Sequence, residues 1–271
     1  MGLILGLIVW TIWGNTALMI SRISITGNRI PPGFYGFRIA HISDLHNAEF
    51  GAENGDLLDR IAGENPDIIV ITGDLVDSNH TDLAVALSFA EKAAAIAPVY
   101  YVTGNHEARL PRYDDLRTGL MESGAIVLED ASVQITRGGD SVTLIGLADP
   151  NFMVQGEFFG EIPAMIRTKL ADLLGGKKEY TILLSHRPEL FEVYAESGID
   201  LVFSGHAHGG QFRIPFIGGL IAPDQGFFPK YDSGLYSSGN TNMIVSRGIG
   251  NSIIPLRFNN RPEIIIAELS A

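Results

Sequence analysis

The chain contains no cysteine among its 271 residues. This absence excludes disulfides, a cysteine nucleophile and thiolate zinc ligands, although it does not fix the cellular compartment. Basic residues are also scarce, since 19 Lys and Arg stand against 31 Asp and Glu, for a formal net charge of −12. Because such a surface repels a polyanion and the chain has no run of Lys or Arg, we expect no nucleic-acid partner. Part of the acid is expected to lie where a cation binds.

The first 21 residues carry no charged side chain, and the first charge is Arg22. About 20 helical residues span roughly 30 Å, which is the thickness of the hydrocarbon core of a bilayer. We therefore predict a transmembrane helix over residues 1–21 and a linker over residues 22–34. The alternative is a hydrophobic helix packed under the folded domain. A cytoplasmic domain is favoured because three arginines follow the segment and no basic residue precedes it: Arg22, Arg29 and Arg38.

After the linker, short apolar runs alternate with segments of helical spacing. Ile68–Thr72 and Val99–Val102 are apolar runs typical of strands, and apolar residues recur at helical intervals within His80–Ala95. This alternation predicts βαβ units, a parallel sheet and an α/β fold in one domain over residues 35–271. Residues 205–239 are rich in Gly and Pro, which predicts ordered loops above a site.

Side chains that can bind a metal follow five of the predicted strands. Ligands bind beyond the carboxyl ends of strands in α/β sheets, so we expect these side chains to meet. Each fragment alone is typical of a turn, but together they hold five of the seven histidines. Oxygen and imidazole ligands without sulfur suit two divalent ions such as Mn, Fe or Zn. The segments are Ser43–His46, Gly73–Asp77, Gly104–Glu107, Ser185–Pro188 and Gly205–Gly209.

In chain order these segments give D-x-H, G-D, G-N-H, H and G-H-x-H. The series resembles the signature of the calcineurin-like metallophosphoesterases. The strings HISDLHN, TGNHE and SGHAHGGQFRIP are similar to the membrane-associated bacterial branch of that family, with its relatives of the UDP-diacylglucosamine pyrophosphate hydrolases. The resemblance implies a four-layer αββα sandwich with two divalent ions. It implies that Asp44, His46 and His208 hold one ion, that Asn105, His186 and His206 hold the other, and that Asp74 bridges both.

The implied activity is hydrolysis of a phosphoester or pyrophosphate bond by a metal-bridging hydroxide, since bound cations lower the pKa of water. His106, beside the ligand Asn105, is the candidate general acid. Asp77 either orients His106, as an Asp at this spacing does in the Ser/Thr phosphatase branch, or caps a helix that begins near His80. Three arginines are candidates for contacting a substrate phosphate: Arg187, Arg247 and Arg109.

Rival functions are less well supported by the residues. Metallo-β-lactamase-like and amidohydrolase-like enzymes need an H-x-H-x-D-H cluster, which the chain lacks. A metal-stabilised binding module without catalysis is disfavoured because His106 and the whole series of ligands are present. The predicted anchor makes a lipid-linked or envelope-precursor substrate a second hypothesis. Specificity is expected to lie in loops 151–165 and 210–240, with Asn151–Gly160 either a substrate lip or an apolar loop on the core.

Overall fold

The structure is a computed structural model that describes residues 2–153, 161–176, 179–251 and 256–271. Most of the predicted substrate lip, residues 154–160, lies outside these ranges. The α-helices are α1 (Gly2–Thr16), α2 (Gly55–Gly63), α3 (Leu83–Ala94), α4 (Tyr113–Glu122), α5 (Ile162–Leu174) and α6 (Phe191–Glu196). The strands are β1 (Met19–Thr26), β2 (Arg38–Ile42), β3 (Ile68–Thr72), β4 (Val99–Val102), β5 (Ile126–Val127), β6 (Ala131–Arg137), β7 (Asp140–Gly146), β8 (Tyr180–Leu184), β9 (Leu201–Ser204), β10 (Arg213–Ile214), β11 (Gly218–Gly219), β12 (Ile221–Ala222), β13 (Gly226–Phe227), β14 (Gly234–Ser238), β15 (Thr241–Val245) and β16 (Glu263–Ser270).

Twelve of these strands form two six-stranded sheets. The first has the order β1-β16-β2-β3-β4-β5, and the second has the order β14-β15-β9-β8-β7-β6. In the first sheet β2 to β5 run parallel, while β16 runs antiparallel to β2 and parallel to β1. In the second sheet β15, β9, β8 and β7 run parallel, with β14 and β6 antiparallel at the two edges. The remaining four strands pair as two short hairpins, β10–β11 and β12–β13.

The sheets pack face to face, and helices cover both outer faces. Alternate residues of a strand point to opposite faces, so β3 places Ile68 and Val70 between the sheets and Ile69 and Ile71 under the helices. The outer face of the first sheet packs against α2, α3 and α4, and that of the second packs against α5 and α6. These are the four layers that the resemblance implied, in a mixed α/β sandwich.

The amino-terminal segment differs from the prediction. Within the part of the chain that the structure describes, no helix is long and apolar enough to cross a membrane. Helix α1 ends at Thr16, and Met19–Thr26 forms a strand along the whole of β16. Strand β1 therefore occupies the end of the predicted anchor over residues 1–21 and part of the predicted linker over residues 22–34. An uncharged apolar run cannot distinguish a 20-residue helix from a shorter helix followed by a half-buried strand.

Candidate metal centre

Four side chains from three segments form the first half of a buried cluster. The Nε2 atoms of His46 and His208 lie 3.2 Å apart. Asp44 Oδ1 lies 3.3 Å from His208 Nε2, and Asp74 Oδ2 lies 3.5 Å from His46 Nε2. All four residues are buried, and their potential ligand atoms lie within 4.8 Å of one another. Three of them are the set that the resemblance implied for one ion, and the fourth is the implied bridge.

The second half of the cluster shares Asp74. His186 Nε2 lies 3.2 Å from Asp74 Oδ2, 3.2 Å from Asn105 Oδ1 and 3.1 Å from His206 Nδ1. A single carboxylate therefore lies between two groups of ligand atoms. This arrangement is what a dinuclear centre needs, because its two ions lie about 3.5–4 Å apart.

The ring nitrogens of the cluster are better placed to bind a cation than to hydrogen-bond to one another. His186 Nδ1 faces the carbonyl oxygen of Thr72 at 2.6 Å, so this nitrogen carries a proton and Nε2 can offer its lone pair to the cluster. Among the residues that the structure describes, the buried Nδ1 atoms of His46 and His208 have no hydrogen-bond partner, whereas both Nε2 atoms face the carboxylates. The donor set, imidazole nitrogen with carboxylate and amide oxygen, suits borderline divalent ions.

The electrostatics of the cluster also favour a cation. Burial raises the pKa of the Asp74 carboxyl, but the neighbouring charge and hydrogen bond of His186 outweigh burial and hold it well below its usual value. Burial lowers the pKa of His186, yet Asp74 and Asp44 raise it overall to about 10. The Asp74 carboxylate is thus held ionised by its positive neighbour His186. A divalent ion can take the place of these protons.

A buried glutamate holds the loops that carry these ligands. The Glu107 carboxylate accepts hydrogen bonds from the backbone N–H groups of Asp74 at 2.8 Å, Leu75 at 2.8 Å and Gly104 at 2.7 Å. Burial and the charge of Asp74 raise the pKa of Glu107 to about 8, although these N–H groups oppose the rise. Asp74 itself has a φ of 52°, a left-handed conformation that is uncommon for a residue with a side chain. Glu107 therefore pins a strained turn at the centre of the site.

His106 lies beside the first half of the cluster, its ring centroid 4.5 Å from that of His46. Its Nδ1 accepts a hydrogen bond from the backbone N–H of Ser78 at 3.1 Å, and Asp77 Oδ1 lies 3.7 Å away. The proton of a neutral His106 ring is therefore on Nε2. The alternative role of Asp77 as a helix cap is wrong, because α3 begins at Leu83 and its cap is Asp82.

The three candidate phosphate-binding arginines occupy different surroundings. Arg187 is buried, and its guanidinium binds Asp149 through Nε at 2.6 Å and Nη2 at 3.1 Å. These nitrogens are thus bound within the protein, and a phosphate contact by Arg187 stays a prediction. Arg109 is exposed on a 3₁₀ turn directly after His106. Arg247 faces Glu263 and Met19, and within the described residues it makes no hydrogen bond or ion pair with a ligand side chain.

Comparison with known proteins decides the family. The model of the calcineurin-like phosphoesterases matches residues 37–210, which is more than half of the chain and includes every ligand described above. The chain belongs to the calcineurin-like phosphoesterase family. Among curated relatives, the uncharacterized metallophosphoesterase YkuE of Bacillus subtilis is 28% identical over 92% of this chain and 84% of its own length. The phosphodiesterase YaeI of Escherichia coli is 29% identical over 86% of this chain and 82% of its own.

The fold of this phosphoesterase is also found among solved structures. A dimetal phosphatase from Danio rerio aligns with a TM-score of 0.50 and 12% identity, over 87% of this chain and 93% of that chain. At this identity the likeness concerns the fold alone. The protein is thus a metal-dependent phosphoesterase by its family, with a candidate site of Asp and His residues for the pair of divalent ions that such enzymes bind.

Two residues that hold the metal centre of this phosphoesterase were not found from the sequence. Glu107 lies within the quoted string TGNHE, and its place next to the ligands was the available signal. Asp224, at the tip of the β12–β13 hairpin, accepts hydrogen bonds from His206 Nε2 at 2.9 Å and from Arg187 Nη1. Since Nδ1 of His206 faces the cluster, Asp224 binds the opposite side of the same ring. No sequence pattern marks Asp224, because its partner lies in a different loop.

Proposed function

We propose that this phosphoesterase hydrolyses phosphoester or pyrophosphate bonds at a pair of Mn, Fe or Zn ions. The position of Asp74 carries the proposal, since its carboxylate lies between two groups of ligand atoms. In the bound state the ions would supply Lewis acidity toward the phosphoryl oxygens and lower the pKa of a water nucleophile. Asp44, His46 and His208 would hold one ion, and Asn105, His186 and His206 would hold the other.

His106 is proposed as the group that assists the departing oxygen. Its Nδ1 is occupied by the Ser78 N–H, which supports Nε2–H as the donor toward substrate. Proton transfer to an alkoxide needs an imidazolium; its second proton, on Nδ1, would replace the hydrogen bond from the Ser78 N–H by one donated to Ser78 Oγ at 3.2 Å, with the charge of Asp77 3.7 Å away. Asp77 is therefore assigned to orient His106, and its own Oδ1 is fixed by the N–H of Asn79 at 2.7 Å.

The test is hydrolysis of bis-p-nitrophenyl phosphate and p-nitrophenyl phosphate by the full chain, stripped of metal and then given Mn²⁺. Turnover should return with the metal and should be absent in Asp74→Asn, which should also lose bound metal. A matched control is Asp172→Asn, because it removes the same charge from the exposed surface of α5. The proposal is wrong if Asp74→Asn binds two ions and keeps its activity. If the unaltered chain is active, the ester that it hydrolyses faster tells whether it is a diesterase or a monoesterase.

A lipid-linked substrate, with the enzyme held at a membrane, is a second and finer proposal. Helix α1 supports it, because the helix carries no charged residue and exposes Leu5, Val9 and Ile12 by more than half. The experiment compares kcat/KM for a pyrophosphate carrying acyl chains with that for the same headgroup without them. Equal values would contradict the proposal. The full chain is needed, since deleting residues 1–34 would remove β1 and leave the edge of β16 unpaired.

A further inference from the structure

A pocket lined by two arginines lies outside the metal centre, at the turn of the β10–β11 hairpin. Its volume is about 580 Å³, and Arg213, Arg247 and Asn259 line it together with residues 214–218 of the hairpin. We call it the Arg213–Arg247 pocket. It contains none of the metal-ligand residues and neither His106 nor Asp77. Its properties can therefore be separated from catalysis.

The charge of Arg247 is only partly balanced within the protein. Within the described ranges its buried Nε has no hydrogen-bond partner, and the carboxylate oxygen Glu263 Oε1 lies 3.8 Å from it. The Glu263 carboxylate also accepts hydrogen bonds from Ser21 Oγ and from the backbone N–H of Arg247. Burial and the charge of Arg213 lower the pKa of the Arg247 guanidinium, whereas the charge of Glu263 raises it. Arg213 is itself paired through Nη1 with Asp232 Oδ2 at 3.0 Å, and an anion in the pocket would add a partner shared by both arginines.

The rim of the pocket is apolar and faces solvent. Phe216, at the turn of the hairpin, is fully exposed, and Ile217 beside it is 64% exposed. The neighbouring β12–β13 hairpin carries Phe227 and Phe228, which are 71% and 62% exposed. The tip of one hairpin and the end of the next thus expose large apolar side chains near basic residues, which is unusual for a surface that only meets water. Aromatic tips with nearby cations are typical of contacts with a lipid–water interface.

The uncharged amino-terminal helix approaches the same region. Met19, three residues after the end of α1, places its Sδ 4.0 Å from Arg247 Nη1. Asn15, in the last turn of α1, binds the backbone of Arg257, and the next residue, Phe258, bridges to Phe212 directly before β10. The end of α1 is thus linked through short contacts to the base of the hairpin.

We propose that the Arg213–Arg247 pocket binds the phosphate of an anionic phospholipid headgroup while Phe216 and Ile217 insert among the lipids around it. Two guanidinium groups match a phosphate, and the exposed apolar rim matches the acyl region next to it. Free phosphate shares the first feature but leaves the rim exposed to water. A bilayer surface is therefore the occupant that accounts for both the charge and the rim. This binding does not require the proposed hydrolysis.

The test is co-sedimentation of the full chain with vesicles of phosphatidylcholine alone or with about one-third phosphatidylglycerol. We expect binding to the anionic vesicles, weakened about tenfold by Arg247→Gln and by Phe216→Ser. Matched controls are Arg112→Gln, an arginine 80% exposed in its side chain, and Met121→Ser, an apolar residue 52% exposed on α4. Circular dichroism and bound-metal content check that each variant is folded.

Three outcomes would overturn the proposal. Equal binding to both kinds of vesicle would remove the role of the arginines. Undiminished binding of Phe216→Ser and Arg247→Gln to anionic vesicles would assign any membrane contact to α1 alone. Calorimetry of the metal-free chain with sodium phosphate covers the third case, in which Arg247→Gln abolishes phosphate binding but leaves vesicle binding intact. The pocket would then be a site for free phosphate. Loss of catalysis in Asp74→Asn leaves all three readouts unaffected.

Discussion

Removal of the Asp224 carboxylate tests whether the candidate metal centre depends on a residue outside the proposed set of ligands. Asp224 accepts a hydrogen bond from His206 Nε2 at 2.9 Å, while Nδ1 of that ring faces the other ligands. Such an outer carboxylate fixes both the tautomer and the orientation of the ring. Burial opposes ionisation, but His206 and Arg187 lower the pKa of Asp224, chiefly through the His206 hydrogen bond, so the carboxylate is charged at neutral pH.

The expected loss can be derived from these contacts. Outer carboxylates of metal-binding histidines are worth about 10–100-fold in metal affinity, or about 1.4–2.7 kcal/mol. Asp224 is about half exposed, so solvent screening favours the lower part of this range. Arg187 is not left unpaired, because Asp149 still binds two of its nitrogens. The loss in Asp224→Ala should therefore be confined to the ion held by His186 and His206.

The assay is calorimetric titration of the metal-free protein with Mn²⁺ or Zn²⁺. One of the two binding steps should weaken about tenfold in Asp224→Ala, and Asp224→Asn should recover part of the loss, because its amide oxygen can accept the same hydrogen bond. Asp172→Ala serves as the control for removal of an exposed charge. If both steps match those of the unaltered chain, or if both weaken equally, Asp224 does not act through His206.

Three further predictions concern the site and its support. His106→Ala should keep its metal and lose about 10²–10⁴ in turnover of an alkyl ester, but much less with p-nitrophenol as the leaving group, because nitrophenolate needs no proton; equal losses for both esters would remove His106 as a proton donor. His41 is buried with a pKa lowered by burial to about 3, so its neutral form stabilises the fold above its unfolded pKa of about 6.5, and this contribution is lost as the pH falls below that value. In urea unfolding of the metal-free chain, His41→Leu should reduce the difference in stability between about pH 7 and about pH 5 by about 2 kcal/mol, and an unchanged difference would contradict a neutral buried ring. A Cβ at Gly205 would overlap Ser43 Oγ and lie 2.5 Å from Asp44 Oδ2, so Gly205→Ala should cost about 1–3 kcal/mol and weaken metal binding, whereas Gly55→Ala, which has open space, should do neither when both are measured by thermal melting and titration.

The strands were the most predictable part of the fold. Ile68–Thr72 and Val99–Val102 are the observed bounds of β3 and β4, because a parallel strand buried on both faces must be continuously apolar. The ligand segments were predictable for a related reason. Polar residues that directly follow such strands reach the same edge of a sheet, so Asp74 and Asn105 could be expected to meet before any coordinates were known.

The residues that support the site were not predictable in the same way. Asp224 meets His206 because a glycine-rich segment turns back over the cluster, and hydrophobic periodicity carries no information about such a turn. The amino-terminal strand was missed for another reason. Ile23 and Ile25 alternate with polar neighbours in the manner of a strand, but the uncharged run before them dominated the interpretation. The pairing of β1 with β16 joins opposite ends of the chain and leaves no local signal.

Because β16 lies between β1 and β2, the order of translation determines when the first sheet can be completed. During translation β1 and β2 emerge early, whereas β16, which lies between them in the sheet, follows all the other described strands. The ribosome adds residues at about 5–20 per second. For seconds after β2 and the loop with Asp44 and His46 have been made, the edge of β2 that pairs with β16 therefore has no partner strand. The nascent chain can therefore assemble the second sheet first and close the first sheet only after β16 has been made. Premature termination before Glu263 would leave a polypeptide that contains every metal ligand but has no finished frame to hold them.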